Sequence, residues 1–302
     1  MKRNIRIVIL CCILGLTGCN RNINETEKAV TPVPAATEVP KMSVTPESTE
    51  EPGEAMLPTP AVKQEATATP EPTSTLIPTD PPMWTATLIP AVENRKKIAI
   101  DPGHQAKGNY EKEPVGPGAT EQKTKVSSGT QGAFTKVPEH VFNLELSLQL
   151  RDSLIAEGYE VVITRETAEV DISNVERAEI ANEAKADIYI RIHADGSDSE
   201  AAKGISVLYP SEKNPYVAEL SPDSKRLAQA VLDEMCEATG AKNRGIIKRD
   251  DLSGTNWAQM PVILIEAGFM TNEEEDKKLQ DPEYQAKLVQ GIVEGIEEYF
   301  EE

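Results

Sequence analysis

The carboxyl-terminal part of this 302-residue chain, residues 95–302, predicts a single α/β domain. Short runs rich in β-branched residues recur along it, at residues 97–100, 159–164, 187–193, 204–209 and 261–266. Segments with a helical apolar period lie between most of these runs, and that alternation is typical of α/β domains. The last run, Pro261–Glu266, is continuously apolar, as expected for a strand that is buried on both faces of its sheet.

The chain begins with a segment typical of export. A basic amino terminus precedes the apolar run Ile7–Leu16, which has the length of a signal-peptide core and is too short to span a bilayer as a helix. The run ends in Leu16-Thr-Gly-Cys19, which resembles the cleavage motif of bacterial lipoproteins. We therefore expect residues 1–18 to be a lipoprotein signal peptide and Cys19 to carry the lipid. An ordinary secreted protein with a chance cysteine at this position is the alternative.

The composition changes over residues 19–94, where Pro, Thr, Glu and Ala dominate and no apolar period is sustained. Such a segment cannot bury enough apolar surface to offset the entropy of the chain, so we expect it to be disordered. Proline and like-charge repulsion favour extended conformations. The segment is therefore predicted to be a stalk between a membrane anchor and the folded domain.

Cysteine content and net charge limit how the domain can be stabilised and what it can bind. Cys236 would be the one thiol left after processing, so the domain must be stable without an intramolecular disulfide. We expect Cys236 to be a small buried apolar group rather than a nucleophile. The net charge is −19 and no basic groove with interleaved aromatic residues is present, which argues against a nucleic-acid partner.

The first strand of the domain, Lys97–Ile100, is followed by Asp-Pro-Gly, whose proline and glycine favour a turn. His104 follows this turn, at the edge where open α/β sheets bind their ligands. A turn histidine that faces solvent is the alternative. The next residues, Gln105–Pro138, are rich in Gly and Thr, and we expect them to form a long loop that rims a substrate groove.

The starts and apolar sides of the helices are well marked. Glu139–Ala156 carries an apolar residue at every fourth position, at Phe142, Leu146, Leu150 and Leu154, and this side should face the sheet. Ser173 and Glu176 have the spacing of a capping box, as do Asn272 and Glu275, and Pro222 suits a first helical position. Apolar stripes define the two remaining long helices, through Leu227, Val231 and Met235 and through Tyr284, Leu288, Ile292 and Ile296.

Three further polar residues lie where a charge is costly. Glu139 precedes Phe142 by one helical turn and so faces inward, a position that the positive helix amino terminus explains in part. His193 ends the run Ile188–His193, and Glu266 ends the last apolar run. A carboxylate that closes a fully buried strand needs a partner or a proton.

Two histidines and one carboxylate at strand ends and at a facing helix start predict a zinc site with one coordination position left for water. A further carboxylate nearby can take a proton from that water and deliver it to a leaving amine. Each of these residues alone is a weak signal. Their combination predicts metal-assisted hydrolysis.

The domain resembles the zinc-dependent N-acetylmuramoyl-L-alanine amidases that cleave bacterial peptidoglycan, the catalytic-domain family often called amidase 3. The resemblance extends from Ile98 to about Phe300. It rests on ordered motifs: Ile100-Asp-Pro-Gly-His104, Glu139-His-Val-Phe-Asn-Leu144, Gly158-Tyr159 to Thr164-Arg165, Glu176-Arg-Ala-Glu-Ile-Ala-Asn182, Ile192-His-Ala194, Arg244-Gly245 and Pro261 to Asn272.

This resemblance implies that His104, Glu139 and His193 hold zinc and that Glu266 is the catalytic acid and base. It also implies a single twisted, mostly parallel sheet with helices on both faces. Combined with the export signals, it implies a protein anchored by the lipid of Cys19 to the outer face of the bacterial cytoplasmic membrane, where peptidoglycan is its partner.

Two other functions compete with the amidase. A zinc carboxypeptidase-like enzyme would need a clamp for a free carboxylate, and no arginine is assignable to that role. A non-catalytic wall-binding lipoprotein on the same scaffold would have no need of Glu266. His140 is expected at the surface, because adjacent residues on a helix point about 100° apart and His140 and Glu139 cannot easily face one metal.

Overall fold

The computed structural model describes residues 95–301. The predicted signal peptide, the predicted lipidation site Cys19 and the predicted stalk lie outside these residues. Within residues 95–301, no helix is both long enough and apolar enough to cross a membrane.

A six-stranded sheet organises the domain, in the order β4-β1-β5-β8-β6-β7. The strands β4, β1, β5 and β8 are parallel, whereas β6 is antiparallel to β8 and parallel to β7. The sheet is therefore mostly parallel, as predicted. Its strands are β1 (Lys97–Pro102), β4 (Glu160–Ile163), β5 (Ile188–Asp195), β6 (Ile205–Tyr209), β7 (Asn243–Lys248) and β8 (Val262–Phe269); a separate hairpin pairs β2 (Asn109–Pro114) with β3 (Gln122–Val126).

Helices cover both faces of the sheet. They are α1 (Glu139–Ala156), α2 (Asn174–Glu183), α3 (Ser221–Thr239), α4 (Ser253–Asn256), α5 (Glu273–Leu279) and α6 (Pro282–Glu301). Their starts follow the local sequence: Ser173 and Glu176 form the predicted capping box of α2, and the Asn272 side chain accepts from Glu275 N at α5. Gly240 ends α3 in the left-handed conformation, with φ 68°.

Two clusters of buried apolar residues lie between the sheet and the helices that cover it. The larger one joins the predicted stripes of α1, α3 and α6 to Ile188, Ile190 and Ile192 of β5. The smaller one places Tyr189 of β5 against Ala178 and Ala181 of α2. Successive residues of β5 thus point to opposite sides, as the alternation predicts.

The structure corrects three predictions about secondary structure. Gln105–Pro138 is not only a loop, since it contains the β2–β3 hairpin. The strand β7 was missed, because Asn243–Lys248 has only two apolar residues and forms at the edge of the sheet against β6. His193 and Glu266 do not end their strands, which continue to Asp195 and Phe269.

Candidate metal centre

The turn after β1 is fixed by a buried charge network. Asp101 is fully buried and accepts from the guanidinium groups of Arg177 (2.7 Å) and Arg191 (2.9 Å). Burial alone would raise the pKa of Asp101, but the two arginines hold the pKa far below its ordinary value. Arg177 also donates to the carbonyl oxygens of Pro102 and His104. The network therefore positions the backbone that carries His104.

His104 has a backbone conformation that residues other than glycine rarely adopt, with φ 60°. Non-glycine residues held in this region tend to cluster at functional sites. Its ring Nδ1 lies 2.9 Å from the carbonyl oxygen of Ser127. Because a carbonyl oxygen can only accept, this contact favours the tautomer with the proton on Nδ1, which leaves the electron pair of Nε2 for a ligand bond.

Glu139, at the start of α1, brings the two predicted histidines together. Its Oε1 lies 3.2 Å from His104 Nε2 and 3.1 Å from His193 Nδ1. The two imidazole rings are nearly perpendicular, with centroids 4.7 Å apart. These three residues offer one ligand atom each, and the three atoms lie within 4.8 Å of one another.

Backbone amides and small residues hold the Glu139 carboxylate in place. Oε2 accepts from Thr130 N at 2.8 Å, and Oε1 accepts from Ala194 N at 3.2 Å and from Asn143 Nδ2 at 3.2 Å. A Cβ at Gly129, where φ is 78°, would meet Glu139 Oε2 at 2.7 Å. A Cβ at Gly103 would meet the His193 ring at 2.3 Å. Both glycines are required by this close packing.

The protonation states of Glu139 and His193 are suited to binding a cation. Burial would raise the pKa of Glu139, but the close contacts of its carboxylate with the imidazoles of His104 and His193 hold the pKa well below the ordinary value. Burial lowers the pKa of His193 to about 4. An ionised carboxylate and a neutral imidazole are the forms in which these groups bind metals. His193 Nε2 is also buried without a hydrogen-bond partner.

This donor set fits zinc. Imidazole nitrogen and carboxylate oxygen are common zinc ligands, and three protein ligands leave a site open for chemistry. The carbonyl oxygen of Ser127 contacts His104 at the place where metal-binding histidines commonly have an outer hydrogen-bond partner. Among residues 95–301, His104, Glu139 and His193 are the one group of His, Cys, Asp and Glu residues that meets the geometry for holding an ion.

Glu266 lies beside this cluster on the neighbouring strand. In the register of β5 and β8 it pairs with His193, so the two side chains point to the same side of the sheet. Its Oε2 is buried without a hydrogen-bond partner. Burial raises the pKa of Glu266 well above its ordinary value, and the negative charges of Glu139 and Asp195 raise the pKa further. Glu266 is therefore a carboxyl group with an unusually high affinity for a proton.

A cleft of about 320 Å³ opens over the cluster. Its lining includes His104, Ser127 and Lys123 as well as Asp251 and Ser253. The Lys123 ammonium lies 3.8 Å from the Asp251 carboxylate. The hairpin that contains Lys123 therefore forms part of the rim of the cleft, which is the place that the sequence predicted for residues 105–138.

The other singled-out residues lie outside the cluster. His140 is partly buried, and burial lowers its pKa, but its ring is not among the candidate metal ligands. Cys236 is a free thiol, half-buried rather than fully buried, and burial raises its pKa to about 11. A thiol with such a pKa remains protonated at neutral pH and is a poor nucleophile.

The residues that position the candidate ligands were not singled out from the sequence. The buried charge network joins residues that lie far apart in the sequence: Asp101, Arg177 and Arg191. The signal that could have identified them is a charged residue in a segment whose other residues are apolar, because such a charge needs a partner when it is buried. Ser127 and Thr130 act through backbone atoms, so their residue types carry no signal for these roles.

Comparisons with known proteins match most of the described domain. The family model described as N-acetylmuramoyl-L-alanine amidase matches residues 98–298. An N-acetylmuramoyl-L-alanine amidase of Mycobacterium tuberculosis is 29% identical over 222 residues, covering 70% of this chain and 89% of that protein. The amidase LytC of Bacillus subtilis is 28% identical over 203 residues, which are 67% of this chain and 35% of LytC. The crystal structure of the amidase Ami1 from Mycobacterium smegmatis superposes with a TM-score of 0.62 at 28% identity, covering 68% of this chain and 97% of Ami1.

Proposed function

The chain belongs to the N-acetylmuramoyl-L-alanine amidase family, and from this premise we propose that it cleaves the amide between N-acetylmuramic acid and the L-alanine of the stem peptide in peptidoglycan. The observation that carries the proposal is the convergence of His104, Glu139 and His193 beside Glu266. A partly buried carboxyl group, one oxygen of which is buried without a partner, next to a candidate metal centre suits hydrolysis of an unactivated amide.

We propose that zinc is the cofactor and that His104, Glu139 and His193 are its ligands. When bound, zinc acts as a Lewis acid that polarises the carbonyl of the substrate and lowers the pKa of the attacking water. The Ser127 carbonyl favours the tautomer of His104 that leaves Nε2 free, and the amides of Thr130 and Ala194 hold the Glu139 carboxylate. The three ligands are thus held in place before an ion arrives, which lowers the cost of binding it.

Glu266 moves the protons in this mechanism. Its carboxylate takes a proton from the water whose oxygen forms a bond to the lactyl carbonyl carbon. The resulting carboxylic acid then gives that proton to the amide nitrogen, and the carbon–nitrogen bond breaks with the amine as the leaving group. A raised pKa favours this exchange, because a general acid and base works best when its pKa lies near the operating pH.

Analysis of the products tests this function. Purified peptidoglycan treated with the zinc-loaded protein should release stem peptides that carry a new amino-terminal L-alanine, and the lactyl groups should remain on the glycan as free carboxyls. Release of free terminal amino acids would instead identify a carboxypeptidase-like enzyme. Wall binding without any new amino terminus would identify a non-catalytic binder.

We further propose that the protein is exported and anchored by a lipid on Cys19, so that residues 19–94 carry the amidase domain from the membrane to the wall. The proposal rests on the motif Leu16-Thr-Gly-Cys19 and on the composition of the following segment. Cys19→Ala is expected to release the protein from the membrane or to leave the precursor uncleaved. Metabolic labelling with palmitate, followed by fractionation, measures this. A wild-type protein that never incorporates label would contradict it.

A further inference from the structure

Tyr110 is the most exposed large apolar side chain among residues 95–301, with 64% of its surface accessible. It lies in a β-bulge of the β2–β3 hairpin. Asn109 pairs with Val126 and Lys112 pairs with Thr124, so two residues of β2 lie opposite one residue of β3. Bulges of this kind redirect side chains and are common beside active sites. The bulge thus places two exposed residues, Tyr110 and Glu111, opposite one residue of β3.

The ring of Tyr110 is exposed but held in place. Its hydroxyl lies 3.0 Å from Ser128 Oγ, within hydrogen-bonding distance. A Cβ at Gly108 would lie 3.1 Å from two ring carbons, so the ring packs closely on the backbone of a glycine. An aromatic surface that is already fixed loses little entropy when a ligand covers it. The two contacts, to Ser128 and to Gly108, therefore favour a role for this exposed ring in binding a ligand.

A polar cleft of about 480 Å³ lies beside this ring. Tyr110 lines it together with Lys107, Asn109 and Asp171. Asn109 Nδ2 donates to Asp171 Oδ1 at 2.9 Å, which joins the hairpin to the segment before α2. Polar side chains around one fixed aromatic surface can both stack on a ligand and form hydrogen bonds with it.

This second cleft adjoins the catalytic one. Ser128, which is linked to Tyr110, follows Ser127, and the Ser127 carbonyl contacts His104. Gln105, next to His104, has its Nε2 3.1 Å from the Lys107 carbonyl and 3.5 Å from Asp171 Oδ1. Ser127 lines the catalytic cleft and Ser128 contacts Tyr110 of the second cleft, so the two clefts are near enough for one polymer to reach both.

We propose that Tyr110 and its cleft form a glycan-binding subsite, which holds the N-acetylated sugar chain of the wall while a stem-peptide amide lies at the catalytic centre. This inference rests on the proposed function for its choice of polymer. Sugar rings present C–H groups to aromatic faces and hydroxyl and acetamido groups to polar side chains, and the cleft offers both kinds of partner. The subsite would favour polymeric glycan over a single muramyl peptide.

The ratio of two specificity constants tests the subsite. One substrate is a soluble glycan strand that still carries its stem peptides, and the other is N-acetylmuramyl-tripeptide with a single sugar. Tyr110→Ala is expected to lower the ratio of kcat/KM for the strand to that for the single-sugar substrate by about fivefold, the size expected for one aromatic contact. Tyr110→Phe keeps the ring and should restore most of the ratio.

Phe134 provides the matched control, because it is the other exposed aromatic of the same segment, 46% accessible, and lines a different cleft. Phe134→Ala should leave the ratio at the wild-type value. A ratio unaltered in Tyr110→Ala would overturn the subsite. Equal losses on both substrates, accompanied by lost zinc, would also overturn it, because Tyr110 would then support only the Ser127–His104 contact.

Direct binding separates failure of the subsite from failure of the proposed function. If the wild-type protein cleaves neither substrate, the amidase proposal fails. Calorimetry then measures whether the protein binds a tetramer of N-acetylglucosamine, and this binding decides whether the subsite exists. Binding that Tyr110→Ala weakens by about fivefold supports it. Equal binding by both proteins, or no binding by either, overturns it.

Discussion

Alanine in place of His193 is expected to abolish both zinc binding and amide hydrolysis. Changes to the outer partners of metal ligands typically cost about 10- to 100-fold in metal affinity or activity, and loss of a direct ligand should exceed that. His193 Nδ1 and His104 Nε2 both converge on Glu139 Oε1. Without His193, the Glu139 carboxylate loses one of the two imidazoles that hold its pKa low, and the remaining donors are too few for a stable zinc site.

Metal content and thermal unfolding measure this effect independently of activity. Zinc at about 100 times its Kd should stabilise the wild-type protein by about 2.7 kcal/mol, which corresponds to a rise in Tm of about 5–10 °C for a domain of this size. His193→Ala should show neither the bound zinc nor the rise in Tm. His104→Ala should behave similarly, although the φ of 60° at this position adds backbone strain.

His140→Ala is the matched control, since it removes an imidazole next to Glu139 that does not reach the cluster. It should retain zinc, the zinc-dependent rise in Tm and most of the activity. Circular dichroism of each variant without metal checks that the fold is preserved. One equivalent of zinc that remains in His193→Ala would contradict the ligand assignment.

The sequence predicted a mostly parallel sheet, although not its edge strand β7, and it singled out the three residues that the structure brings together as candidate ligands. Residue spacing located Glu139 because four apolar residues follow it at every fourth position, and the structure buries its side chain at 3% exposure. β-branched runs located β1, β5 and β8, which carry or precede His104, His193 and Glu266. These features are local, and local apolar periods are the strongest signals that a sequence contains.

Features that depend on distant contacts were not predictable in the same way. The β2–β3 hairpin is polar and largely exposed, so Asn109–Pro114 lacks the alternation that marks a half-buried strand. Asp101 meets Arg177 and Arg191 only after the chain has folded. Likewise, the strand register that sets Glu266 beside His193 is a property of the sheet and not of either segment.

Glu266→Gln is expected to reduce turnover by at least about a hundredfold while leaving zinc bound. General acid and base catalysis typically contributes about two to four powers of ten in rate, and glutamine keeps the shape of the side chain but cannot exchange the proton. Burial and the nearby Glu139 and Asp195 already disfavour the charged form of Glu266. Removing that charge therefore relieves repulsion, and the variant should unfold at a temperature equal to or above that of the wild type.

The combination of lower turnover with undiminished stability separates a catalytic role from a structural one. Single-turnover rates with a muramyl peptide, zinc content and Tm should be measured on the same preparations. Asp195→Asn serves as the control, because it removes another carboxylate that burial makes easier to protonate, and it should keep turnover within about tenfold of the wild type. Near-wild-type turnover in Glu266→Gln would place the proton carrier elsewhere. Loss of zinc from Glu266→Gln would instead make Glu266 a ligand and Glu139 the better candidate for the acid and base.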